Sequence, residues 1–86
     1  MALAIATCES GLDNTRFNRN WNTDGTYWST DWSVFQVNDL FHAHRGDIEN
    51  LTKEENIKIA KDIFDASGWN AWTCYKSGAY KRFLVD

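Results

Sequence analysis

Glu9 follows the run ALAIATC, seven largely apolar positions that lead straight into a carboxylate two residues before Gly11. A carboxylate at the tip of a buried helix has its charge state set by the protein, because desolvation disfavours the anion. A frayed helix end facing water is the plainer reading of the same position. A second acid, Asp31, lies 22 residues on, among Ser29, Thr30 and Ser33. Splitting a glycosidic bond needs this asymmetry: one acid kept protonated in apolar surroundings, and one kept ionised among polar groups to meet the positive charge at the sugar carbon. Gln36 and Asn38, expected on one face of a strand, offer uncharged groups that suit sugar hydroxyl and acetamido groups. The same groups equally well satisfy nearby backbone. The five tryptophans are read mainly as core, with some free to stack on the apolar faces of sugar rings. Asp24, in Asn22-Thr23-Asp24-Gly25, is read as a turn residue. His42 and His44 form a lone H-x-H with no third ligand nearby in sequence, so neither a metal site nor a cofactor is expected.

These residues must be held by short elements. Ala2 to Glu9 reads as a helix that Gly11 ends. The turn at 22–25 joins expected strands Asn18–Trp21 and Thr26–Trp28. Trp32, Val34, Phe35 and Val37 suggest a third short strand running into Asn38, with Asp31 in or beside it. Residues 39–45 are expected to add one or two helical turns. The clearest helix is 53–67: Thr52 and Glu55 make a capping box, and Gly68 ends it. Ile57, Ala60, Ile63 and Phe64, with Ile59 at the edge, form its expected buried stripe. Helical pieces at 70–76 and 79–84 follow, broken at Ser77-Gly78. The fold class is α+β, a small antiparallel sheet with helices packed around the first one.

The 86 residues fit one domain, 1–86, and a chain beginning within a helix reads as a piece of a longer protein. Net charge is −3; residues 1–50 hold seven acids and three bases, and 51–86 hold five and six. That balance excludes a nucleic-acid footprint and a strongly basic membrane-binding surface. It also fits poorly with killing by membrane disruption. No apolar run approaches the roughly 20 residues of a membrane span. Cys8 and Cys74 read as two buried thiols in a reducing compartment, or as a staple between first and last helices in an oxidising one.

Taken in order, C-E-S-G, N-T-D-G-T, S-T-D-W-S-V-F-Q-V-N and A-K-D-I-F-D-A-S-G-W-N-A-W resemble the lysozyme superfamily through most of the chain. Both chicken-type lysozymes and the soluble-lytic type of bacterial lytic transglycosylase are similar. The resemblance implies a lysozyme-like fold and a muramidase acting on the β-1,4 bond between N-acetylmuramic acid and N-acetylglucosamine. Lytic transglycosylation is the alternative within enzymes, and a non-catalytic glycan-binding module the alternative outside them. By resemblance Glu9 is the general acid, Asp31 the second carboxylate, and Gln36 and Asn38 line the cleft. Trp72 packs against the acid, and Tyr80 joins the substrate-binding set. The resemblance also brings Cys8 beside Cys74 and implies a disulfide. It implies a monomer acting on peptidoglycan strands, and a periplasmic, secreted or phage-delivered location. The chain departs from the family in three ways: Ser33 replaces the usual glycine, the hairpin is about five residues longer, and most chicken-type cysteines are missing.

Overall fold

Helix α1, Ala2–Ser10, buries Ala4, Ile5 and Ala6 in succession, so its middle lies inside the protein. A computed structural model describes residues 1–84. Gly11 ends the helix with φ 67°, a left-handed conformation that costs glycine little, and its N–H donates to Thr7 O at 2.8 Å. The last residues of α1 are tied to both neighbouring regions. Ser10 Oγ donates to Val34 O at 2.8 Å on the sheet side, and Cys8 is bonded to Cys74 on the other, with the two Cα atoms 6.2 Å apart. The disulfide implied by the resemblance is present.

The sheet is antiparallel in the order β1-β2-β3, with β1 at Phe17–Trp21, β2 at Tyr27–Trp32 and β3 at Val37–Asn38. Its hairpin turn is closed by Asn22 and Thr26, and Asp24 Oδ1 accepts from the Thr26 N–H and hydroxyl at 3.0 and 2.7 Å. Asp24 is thus a turn residue, as read from sequence. The third strand is shorter than expected and Asp31 belongs to β2, where it pairs with Asn18 and Asn38. The physical reason is a turn at residues 33–36: Ser33 and Gln36 have φ of 69° and 49°, outside any strand conformation. Gln36 and Asn38 therefore do not alternate along one strand. Val34 and Phe35, on that turn, point into the core with Val37.

Helix α2 runs from Lys53 to Ser67, and both bonds of the Thr52–Glu55 capping box are made. Its buried face differs from the expected stripe. Ala60 and Ile63 are buried, but Ile57 and Phe64 remain 40% and 36% exposed, and the fully buried residue of the first turn is Asn56. Asn56 Oδ1 accepts from Phe35 N at 3.0 Å, and its Nδ2 donates to Trp32 O at 3.1 Å. These bonds satisfy one group of the 33–36 turn and the last carbonyl of β2, and they present Asn56 to the sheet. Short 3₁₀ turns at Ala43–Arg45 and Ile48–Asn50 precede α2. After it come a 3₁₀ turn at Gly68–Ala71, a one-turn helix α3 at Thr73–Lys76, and a 3₁₀ turn at Ala79–Phe83 that packs on α1. Among the described residues no helix is long and apolar enough to cross a membrane.

Candidate active site

Between the sheet and the α2–α3 region lies a groove of about 350 Å³, lined among others by Glu9, Asp31, Gln36, Asn38, Phe41 and Trp72. Five side chains that the sequence reading placed at a site thus share one cavity. Glu9 enters from the end of α1. Burial pushes its carboxyl above the ordinary value of 4.5; a hydrogen bond from Cys74 N, at 3.2 Å, opposes the shift, and the negative charge of Asp31 adds to it. The acid is therefore held toward its protonated form.

Asp31 sits among polar side chains. Its Oδ1 accepts from Asn38 Nδ2 at 2.9 Å and its Oδ2 from Asn20 Nδ2 at 3.2 Å. Both amides also donate to Ser29 Oγ. The strand register explains the cluster, since Asn18 pairs with Asp31, Asn20 with Ser29 and Asp31 with Asn38 across the ladder. Cross-strand partners share a face, so these polar groups form one patch around the carboxylate. Asn20 was missed in sequence; the signal was the period-two spacing of Asn18 and Asn20 facing that of Ser29 and Asp31.

The amides of Gln36 and Asn38 are largely consumed by the protein. Gln36 Nε2 donates to Ser33 O and Arg16 O, and its Oε1 accepts from Asn18 Nδ2 at 2.6 Å. Asn38 Oδ1 accepts from the N–H groups of Leu40 and Phe41. Both side chains brace the wall of the groove, and among the described residues one Gln36 Oε1 lone pair is left without a donor. Trp72 is 4% exposed and its Nε1 donates to Phe35 O at 2.8 Å. It is a buried wall of the groove, with its ring packed against Phe35 and Trp69. Tyr80 does not line the groove. It is buried against α1 and stacks on Tyr75, with ring centroids 5.3 Å apart.

Phe41, which the sequence reading did not single out, is 61% exposed on the groove wall and packs edge-on to Trp28. His42 also lines the groove, and its Nδ1 accepts from Arg45 Nε at 3.3 Å. Burial first, then the charges of Arg45 and His44, holds its imidazole below the ordinary range and so neutral. Among the described residues no group of three or more His, Cys, Asp or Glu side chains could hold a metal ion.

A family model described as a lysozyme-like domain matches residues 1–74 of the chain. No curated protein and no solved structure matches it.

Proposed function

Because the chain belongs to the lysozyme-like domain family, we propose that it hydrolyses the β-1,4 bond between N-acetylmuramic acid and N-acetylglucosamine in peptidoglycan. Glu9, protonated, gives its proton to the glycosidic oxygen as the bond breaks. Asp31, ionised, meets the positive charge that develops at the sugar carbon, as a stabilising charge or as the nucleophile. Glu9, now a carboxylate, takes a proton from the water that completes the reaction. The observation that carries this reading is the pair itself: two carboxyl groups line one groove, one in a buried setting that raises its pKa and one gripped by two amides.

One observation favours a second reading. Because both Asp31 oxygens are engaged by side chains of the sheet, the carboxylate also serves the hairpin. Lytic transglycosylation needs only Glu9, which protonates the leaving oxygen and then takes the proton of the muramic acid 6-hydroxyl as that oxygen attacks the sugar carbon. The two products differ by one water. Mass spectrometry of a purified peptidoglycan digest should give ordinary reducing ends, and Asp31→Asn should slow their release by about 100-fold or more. A digest dominated by 1,6-anhydro products, with Asp31→Asn losing stability rather than rate, would establish transglycosylation instead. Absence of any cleavage, with binding to cell walls retained, would mark a glycan-binding module.

A further inference from the structure

We propose that the Cys8–Cys74 disulfide positions the Glu9 carboxyl group for proton transfer, by fixing the backbone amide of Cys74 that the carboxyl group faces. The proposal rests on the reading of Glu9 as the acid. Cys74 N is Glu9's hydrogen-bond donor, at 3.2 Å, long for a bond to a carboxylate. One long bond does not fix a side chain with three rotatable torsions, so the aim of Glu9 depends on where residue 74 is held. Residue 74 lies in α3, a single turn of Thr73–Lys76 bounded by 3₁₀ turns, far too short to be stable by itself.

The disulfide supplies the missing constraint at the shortest possible range. Cys8 immediately precedes Glu9, and Cys74 is the residue whose own amide donates to it. Bridge, amide and carboxyl group thus close a small ring between α1 and α3. A staple serving stability alone would work at any facing pair of the two helices; this one sits beside the acid. The charged and titratable groups on the other sides of Glu9 do not depend on it. Asp31 comes from β2 and His42 from the segment after β3, while α2 contributes Ile63 and the α3 side contributes Ala71, Trp72 and Thr73, all uncharged. Loss of the bridge therefore changes the amide that stabilises the Glu9 anion and leaves its charged neighbours in place.

The test compares wild type, Glu9→Gln and the Cys8→Ala/Cys74→Ala double variant on purified peptidoglycan, with near-ultraviolet circular dichroism as the check on folding. The folded double variant should turn over about 10- to 100-fold more slowly. The alkaline limb of its pH–rate profile should move to higher pH, because the anion has lost its donor. Reduction by excess dithiothreitol, which passes two electrons and two protons to the bridge as its own thiols cyclise, should reproduce both effects in the wild type. A double variant that melts earlier yet keeps the wild-type turnover and alkaline limb overturns the positioning role while leaving Glu9 as the acid. Wild-type turnover in Glu9→Gln overturns the reading of Glu9 itself. If the double variant does not fold, NMR titration of the oxidised wild type decides: the Cys74 amide proton should titrate with Glu9 and lose that titration in Glu9→Gln. An amide that stays flat overturns the proposal.

Discussion

Glu9 binds its proton more tightly in the folded chain than in the unfolded one, since burial raises its pKa from the ordinary 4.5. The folded state thus holds the extra proton between the two values, and stability falls as pH rises through that window. Glu9→Gln removes the cost, so the variant should gain stability over the wild type as pH rises from 4 towards neutrality. Urea unfolding across that range checks the sign; a gap that shrinks with rising pH would contradict it. Ser33 carries backbone strain. It holds φ 69°, and its Oγ is buried with no hydrogen-bond partner among the described residues. The glycine usual at this place in the family adopts that conformation freely, so Ser33→Gly should stabilise the protein by about 1 kcal/mol, net of the greater entropy of unfolded glycine. A lower urea midpoint for Ser33→Gly would show that the hydroxyl has a partner after all. The surroundings of Glu9 and Asp31 in the sequence marked both as candidate acids, and the resemblance assigned their roles. The sequence could not show that Gln36 and Asn38 spend their hydrogen bonds on the wall, because that depends on strand register and on two positive φ angles.

The turn at 33–36 decides how the elements meet. It carries Phe35 into the core, braces Gln36 and is pinned to α2 by Asn56. Asn56→Ala would leave the Phe35 N–H and the Trp32 carbonyl unpaired in a buried place, costing at least about 2 kcal/mol. A loss under half of that in urea unfolding would mean the turn is held by its apolar contacts. Helix α2 was legible because its cap and its ending glycine are local signals. The rotation of its buried face was not, since helical spacing counts apolar residues and gives no weight to a buried asparagine. The third strand was overextended for a related reason: Trp32, Val34, Phe35 and Val37 are apolar enough for a strand, and nothing in their types marks the reversal at Ser33.

Across the whole molecule the two ends of the described chain are drawn together by the bridge 66 residues apart. In the chain-entropy account a loop of that size adds on the order of 4 kcal/mol, so the double cysteine variant should melt well below the wild type in a calorimetric scan. An unchanged melting temperature would mean that the packing of Tyr80 and its neighbours on α1 already fixes the ends. Trp72→Ala should cost about 3–5 kcal/mol, since the ring is buried against Phe35 and Trp69. The α+β class and the order of elements were legible throughout, because capping, turn and glycine signals are local. The depth of the groove was not, because Phe41 and Ile63 reach it only through tertiary packing. The account stands most directly on Glu9, and one comparison tests it: muropeptide release from purified peptidoglycan by wild type and by folded Glu9→Gln. The account predicts release by the wild type and essentially none by the variant. Release at the wild-type rate from a variant with an unchanged circular dichroism spectrum would contradict it.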